Sequence, residues 1–354
     1  MNIEDFNFLL DDNLIALYPA EPRDNSKLLC LKSGGILVDS YFYNLPNLLD
    51  EGDTLVINET KVIPTFLEGY RYRGENKANI SFNLIKKIDP YSWDVLLKPL
   101  RKIKVNETIQ FKKITGFPEV YAKVISVDSD SIVRIQFNNI STSLDEWIQC
   151  IGNVPLPPYI KSKRPIGDND VDSYQTIYAK NSGSVAAPTA GLHFTDNVMS
   201  KLITKGVNIC KLTLHVGIGT FLPIKTDNIL SHKMHSEWGL LSSDNVDILN
   251  NTKKNGKKII AVGTTSLRLL ETACDDSGFF SPYEGETNIY ITPGYQFKAI
   301  DVLITNFHLP KSSLFVLVAS LYGLKDIKHA YNHAINNFYR FYSYGDVCFI
   351  EKNY

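Results

Sequence analysis

From about residue 185 onward the chain alternates short β-branched runs with amphipathic stretches, and this rhythm restricts the fold more than any other feature. Thr195-Asp-Asn opens a helix that carries Val198, Leu202 and Ile203 on one face and stops at Gly206. Val207 to Val216 then reads as a strand, and Ser243-Asp244 can cap a helix running to Gly256. Lys258–Val262 and Asp301–Thr305 are strands, followed by helices over Thr265–Ala273 and Ser312–Tyr322. Strand–helix alternation implies right-handed crossovers and a largely parallel sheet.

The stretch from about 68 to 140 has a different texture. Ile80–Leu84, Trp93–Leu97, Thr108–Phe111, Val120–Val127 and Ile132–Phe137 are short strand-like runs separated by Gly, Pro, Asn and Asp. Such spacing suggests a small barrel or sandwich. Before it, Asp53–Asn58 reads as one more strand of the first kind. The expected fold class is therefore α/β: a mixed, largely parallel sheet with helices, plus an inserted small β-barrel-like domain. The α/β domain is expected to be discontinuous, 1–65 and 151–354, with the β-rich insert at 66–150. A length of 354 residues accommodates two domains.

Composition excludes several classes. With 44% hydrophobic and 21% charged residues the chain is neither disordered nor of low complexity. No apolar run approaches the roughly 18 residues of a membrane helix, and the acidic N-terminus lacks the basic region of a signal peptide. Cys30, Cys150, Cys210, Cys274 and Cys348 form no CxxC pair, so they read as reduced thiols in a cytosolic chain, each a small buried hydrophobe. Net charge is −1, yet residues 61–164 hold 17 Lys and Arg against 10 Asp and Glu. A local excess of +7 is a candidate polyanion surface, although a solvated lysine-rich face is the commoner meaning of such an excess.

Three strand ends share polar, glycine-bearing tips. Strand 258–262 runs into Gly263-Thr264-Thr265-Ser266, with Arg268 in the first helical turn; strand 301–305 runs into Asn306-Phe307-His308; and strand 207–216 ends at His215 before Gly217-Ile218-Gly219. Ligands of open α/β sheets sit beyond the carboxyl ends of strands, where helix N-termini offer free N–H groups to a carboxylate or phosphate. Gly217-Ile-Gly219 lacks the third glycine and the following helix of a dinucleotide fingerprint, so no Rossmann cofactor is expected. His193, His215, His232, His235 and His308 cluster in the same half of the chain. His232 and His235, three apart, would share a face if helical, with His215 or Glu237 as a third zinc ligand. There is no HExxH and no cysteine pair, and no metal is expected. The most unusual run is Gly183–Thr195, GSVAAPTAGLHFT, whose small residues let a backbone approach a flat ligand.

These residues carry a resemblance. Gly183–Thr195 is similar to the signature of the S-adenosylmethionine:tRNA ribosyltransferase-isomerase family of queuosine biosynthesis. Around it, Tyr18–Leu29, Leu55–Pro64, Pro155–Ile160 and Tyr174–Ala179 resemble family segments in family order. So do Leu214–Phe221, His232–Trp238, Val262–Arg268, Pro293–Phe297, Thr305–Lys311 and Arg340–Asp346. Lys98–Lys104 retains the likeness inside the insert, the least similar part. Glu59 and Lys61 depart from the Asp and Arg usual there, and lysine cannot reproduce a bidentate arginine contact.

The resemblance implies that S-adenosylmethionine is a consumed substrate, with no other cofactor. Its ribosyl unit passes to 7-aminomethyl-7-deazaguanine in the wobble position of a tRNA, giving epoxyqueuosine with release of adenine and methionine. Such chemistry needs a base for the C5′–H made acidic by the sulfonium, an acid for departing adenine, and donors for the methionine carboxylate. His193, His215, His235, Glu237 and His308 are the candidates for proton transfer. Pro188, Thr189, Gly191, Gly217, Gly219, Thr264, Thr265, Arg268 and Asn306 are the candidates for substrate binding, with Arg268 on the methionine carboxylate or a phosphate. Arg71, Arg73, Lys98, Arg101, Lys102, Lys104, Lys161, Lys163 and Arg164 are the candidates for tRNA contact. A cytoplasmic monomer is expected, without a membrane partner.

Overall fold

The structure, a computed structural model, describes residues 1–128, 132–138, 143–217, 224 and 226–353, except the side chain of Lys102. The first strands are β1 (Lys27–Lys32), β2 (Ile36–Tyr41), β3 (Thr54–Asn58) and β4 (Thr60–Val62). Then come β5 (Phe66–Arg73), β6 (Asn76–Lys87), β7 (Ser92–Lys98), β8 (Thr108–Phe111), β9 (Tyr121–Val127) and β10 (Ile132–Phe137). The last seven are β11 (Asn181–Ser184), β12 (Asn208–Leu214), β13 (Glu237–Leu241), β14 (Ile259–Val262), β15 (Tyr283–Thr287), β16 (Val302–Asn306) and β17 (Val347–Glu351). The helices are α1 (Leu144–Ile151), α2 (Pro158–Lys163), α3 (Asp170–Ser173), α4 (Asp196–Thr204), α5 (Ser243–Lys254), α6 (Gly263–Ala273), α7 (Ser313–Tyr322) and α8 (Leu324–Asn336).

Two compact units result. One comprises Met1–Lys61, Pro157–Pro165 and Asp172–Tyr354; the other comprises Val62–Leu156 and Ile166–Val171. The second unit is a closed barrel of six antiparallel strands, in the order β10–β7–β6–β5–β8–β9. Alternation along its strands turns Leu67, Phe82, Val95, Ile109, Val124 and Ile135 inward. Trp147 of α1 joins that core edge-on to Phe111 and Phe137, with ring centroids 5.0 and 5.9 Å away.

The first unit holds a nine-stranded sheet in the order β15–β13–β12–β3–β14–β16–β17–β1–β2. Its centre, β12–β3–β14–β16, is parallel throughout. Thr54–Asn58, Ile259–Val262 and Val302–Asn306 are buried at every position, the pattern of strands covered on both faces. Mixed character comes from the flanks. β17 runs antiparallel to β16, β2 antiparallel to β1, and the β12–β13–β15 run is antiparallel, while β1 lies parallel to β17.

This topology gathers distant segments at one edge. The carboxyl ends of β12, β3, β14 and β16 point the same way, placing Asn58, His215, Gly263 and Asn306 together in register. Because β17 is antiparallel to β16, Val347 pairs with Asn306, and the residues that enter β17 arrive at the same edge. β1 pairs Leu28 with Val347, so Ser26 and Lys27 come there as well. The start of β13 reaches it because Leu214 faces Gly239.

Four of the five free cysteines are buried, and burial pushes the thiols of Cys30, Cys210 and Cys274 up to about 11, 12 and 11. Cys150 departs from expectation: it is exposed, near the end of α1.

Candidate active site

A cavity opens at the edge where these strand ends meet. Its wall combines Ala187–Ala190, Val216, the first residues of α6 (Gly263, Thr264, Thr265), Thr305–His308 after β16, and Tyr342 and Ser343 before β17. Gly263 sits at φ +88°, a left-handed turn that a side chain would strain, and it converts β14 directly into α6. Among the described residues no side chain caps α6, which leaves the N–H groups of its first turn to the cavity wall. α7 differs, because Ser312 Oγ accepts the Phe315 N–H at 3.1 Å.

Behind the wall runs a buried polar chain. Thr189 donates its hydroxyl to Asn306 Oδ1 at 2.8 Å, and Asn306 Nδ2 donates to His193 Nε2 at 3.1 Å. That leaves His193 Nδ1 protonated to donate to Ser26 Oγ at 2.8 Å, while Ser26 donates to the Arg23 carbonyl at 3.2 Å. Burial, with the positive charges of Arg340 and Arg23, holds the His193 imidazole down to about 3. His308 lines the cavity, shares its Nε2 with Thr305 Oγ1 at 3.0 Å, and is also held down to about 3 by burial. Both rings are thus neutral at pH 7.

The remaining predicted residues divide. Thr264, Thr265, Pro188, Thr189 and Asn306 lie in the wall, whereas Gly191 lies just behind it: a Cβ there would come within 2.2 Å of Tyr178 Oη. His215 is half-buried. Its Nδ1 bonds Thr60 Oγ1 at 2.8 Å and its ring stacks on Trp238 at 5.1 Å, with burial lowering its pKa. Glu237 and Arg268 are spent on each other as a buried ion pair. Glu237 Oε1 also accepts the Gly217 N–H at 2.8 Å, and Arg268 Nε donates to the Ile289 carbonyl at 3.3 Å. Arg268, on the second turn of α6, commits Nη1 and Nε to these internal partners, while its buried Nη2 has no hydrogen-bond partner among the described residues. Gly219 lies outside the described residues.

His232 and His235 do not share a helical face. They follow a short 3-10 turn at Ile229–Ser231, and His235 is exposed before β13 begins. Among the described residues no group of three or more His, Cys, Asp or Glu is placed to hold a metal ion.

In the barrel, Lys98, Arg101 and Lys104 are exposed. Arg71 falls on the inward-facing register of β5 with Leu67 and is 6% exposed, 3.6 Å from Glu107. Strand alternation thus withdraws it from any phosphate. Arg73 Nε donates to the same Glu107 at 2.6 Å. In the other unit, Lys163 pairs with Asp12 at 3.2 Å, Arg164 donates to the Leu17 carbonyl at 3.1 Å, and Lys161 is half-buried. The Lys102 side chain lies outside the described residues.

Sequence reasoning assigned no role to Ser26, Asn58, Thr60, Tyr159, Tyr342 or Ser343. Asn58 donates to the Leu214 carbonyl at 2.9 Å and accepts the Leu214 N–H at 3.0 Å, locking β3 to β12 at the cavity edge. The available signal was that each stands within or beside a motif already singled out.

The comparisons agree with the motif series. A family model described as "Queuosine biosynthesis protein" matches residues 3–350. The chain belongs to that family. It is 46% identical over 356 residues to the S-adenosylmethionine:tRNA ribosyltransferase-isomerase of Beijerinckia indica subsp. indica, covering 99% of this chain and 97% of that protein. The enzyme of the same name from Chelativorans sp. is 48% identical over 349 residues, 98% of each chain. A crystal structure of the S-adenosylmethionine tRNA ribosyltransferase from Thermotoga maritima matches at 30% identity with a TM-score of 0.55, covering 98% and 99% of the two chains. The family read from the motifs, a family of transferases, is therefore the right one, and so is the α/β sheet with an added barrel.

Two outcomes follow from the site's electrostatics. Arg268→Ala strands a buried carboxylate and is expected to destabilise the protein by about 3–5 kcal/mol; the double variant Arg268→Met with Glu237→Leu recovers most of that loss in urea unfolding. His193 and His308 have folded pKa values far below the ordinary value near 6.5, so the unfolded chain binds protons that the native state refuses. Their contribution is complete above about pH 6.5 and is lost as pH falls toward 3, at up to about 1.4 kcal/mol per pH unit for each ring. Histidine side-chain NMR should find both rings neutral from pH 8 to 5.

Proposed function

We propose that this chain transfers and isomerises the ribosyl moiety of S-adenosylmethionine onto 7-aminomethyl-7-deazaguanine in the tRNA wobble position, yielding epoxyqueuosine-tRNA, adenine and methionine. The observation that carries this reading is the cavity itself. It sets an uncapped helix start and a neutral imidazole, His308, in one wall.

Each supports one requirement of the reaction. The N–H groups at Gly263–Thr265, with the Thr264 and Thr265 hydroxyls beside them, suit the methionine carboxylate of S-adenosylmethionine. A neutral imidazole suits removal of the C5′ proton that the adjacent sulfonium acidifies. In the tautomer whose Nε2–H donates to Thr305 Oγ1, His308 keeps the Nδ1 lone pair for that proton. His193 has both nitrogens engaged and serves to hold Asn306 and Thr189 in position. Burial gives these groups low dielectric surroundings, where a developing charge interacts strongly with fixed dipoles.

Recognition of the RNA falls to a second set of residues. A wobble base is an unpaired loop nucleotide, of the kind that sequence-specific RNA recognition usually targets, and extruding it from the loop stack costs a few kcal/mol. Lys98, Arg101 and Lys104 of the barrel are exposed cations of the predicted set and are assigned to phosphate contact.

The deciding experiment incubates purified protein with S-adenosylmethionine and tRNA bearing 7-aminomethyl-7-deazaguanine. Release of adenine stoichiometric with a mass gain on the wobble nucleoside is the expected result; neither product from folded protein refutes the reading. His308→Ala should lower turnover by about 10²–10⁴-fold with both substrates still bound. Charge reversal at Arg101 and Lys104 should weaken tRNA binding and flatten its salt dependence, by up to about one slope unit per lost phosphate contact, while leaving S-adenosylmethionine affinity unchanged.

A further inference from the structure

S-Adenosylmethionine brings a permanent positive charge at sulfur into the cavity, and the wall offers that charge no free anion. Among the described residues no carboxylate lines the cavity. The nearby acids are already engaged: Glu237 is paired with Arg268, and Asp346 accepts the Lys27 N–H at 3.0 Å and the Arg340 N–H at 2.7 Å. The stretch 218–223 and residue 225 contain no acidic residue in the sequence. The open start of α6 presents the positive end of its dipole, which suits a carboxylate and repels a sulfonium.

Phe307 and Tyr342 are the aromatic wall residues that could meet this need; the Phe307 ring is fully buried against Tyr331, Tyr339 and Phe341, which leaves Tyr342, whose backbone is held in place. Tyr342 stands at φ +78°, a left-handed conformation that a bulky L-residue keeps only where surroundings impose it. Its N–H donates to the Phe307 carbonyl at 3.0 Å, and its own carbonyl accepts the Gly345 N–H at 2.9 Å. Tyr159 of α2 adds a third tether: its hydroxyl accepts the Ser343 N–H at 3.2 Å, and its ring meets the Tyr342 ring edge-on at 4.3 Å. Burial pushes the Tyr342 phenol up to about 12, so the ring is a neutral π system at any working pH.

We infer that Tyr342 is the sulfonium-recognising residue of the cavity, its aromatic face taking the charged sulfur of S-adenosylmethionine, with Tyr159 as the positioning residue that holds it there. The inference rests on the proposed use of S-adenosylmethionine at this site. A cation over an aromatic face gains between about two- and thirtyfold in affinity, the larger figure where water is excluded. An aromatic site should therefore prefer the sulfonium of S-adenosylmethionine to the neutral thioether of S-adenosylhomocysteine, which lacks only the S-methyl group and its charge.

The test is a pair of dissociation constants, measured by calorimetry on the full chain for S-adenosylmethionine and S-adenosylhomocysteine. Tyr342→Leu is expected to weaken S-adenosylmethionine about tenfold and S-adenosylhomocysteine less than threefold, while Tyr342→Phe keeps the wild-type ratio. Tyr159→Phe removes only the tether to Ser343 and should lower the ratio part-way. Should Tyr342→Leu fail to fold, replacing Tyr342 by phenylalanines of increasing fluorination keeps the shape and drains the ring face, and S-adenosylmethionine affinity should fall stepwise. Equal losses for both ligands, no loss, or affinity indifferent to fluorination overturns the inference while the proposed function stands. Wild-type protein that binds neither ligand overturns both.

Discussion

Parallel pairing at the centre of the sheet is the constraint on which the site depends. Parallel strands deliver their carboxyl ends to one edge, and β12, β3, β14 and β16 thereby set His215, Asn58, Gly263 and Asn306 side by side. Antiparallel flanks then bring segments from elsewhere to the same place: β17 supplies Tyr342 and Ser343, β1 supplies Ser26, and β13 supplies Glu237. Residues more than 300 positions apart meet because the direction of each strand is dictated by its neighbour. Fully buried runs such as Leu55–Ile57 and Val302–Ile304 hold that arrangement, each apolar side chain contributing about 1.5–3 kcal/mol when withdrawn from water.

Within that frame, desolvation governs the chemistry. His193 and His308 are polar groups in an apolar setting, and the inexpensive way to keep them there is to leave them uncharged and hydrogen-bonded. Glu237 and Arg268 meet the same pressure differently, as a mutually neutralising pair that also anchors the Gly217 amide. The cavity consequently lacks a free charge of either sign among its described side chains. What it offers a ligand are dipoles: helix N–H groups, hydroxyls, an amide and aromatic faces.

Much of this was legible in the sequence, for identifiable reasons. β3, β14 and β16 announce themselves as β-branched runs bounded by Gly, Asn or Asp, and Thr195 before α4 behaves as the cap it resembles, accepting the Val198 N–H at 3.3 Å. The barrel strands show alternation with turn residues between them. β17 and the β1–β2 hairpin lie outside the expected strands, although Ser33-Gly34-Gly35 after Lys27–Lys32 and Gly345-Asp346 before Val347–Glu351 are turn signals. Helix α6 begins two residues earlier than Thr265, since Gly263 at φ +88° allows the strand to turn at once into helix.

The sequence by itself determined the family, through long motifs in fixed order, the alternation that makes an α/β sheet, and the identity of the residues at the strand tips. Tertiary structure alone decided which of those residues are available. Arg268 looked like an anion-binding arginine, and the fold committed its Nη1 to Glu237 while leaving Nη2 buried without a partner among the described residues; Arg71 looked like a phosphate contact until strand register turned it into the barrel. Tyr342 carried no signal of its own until its left-handed backbone was seen in the cavity wall. Availability is a property of partners and burial. Both arise from contacts between segments far apart in the chain, which local pattern does not encode.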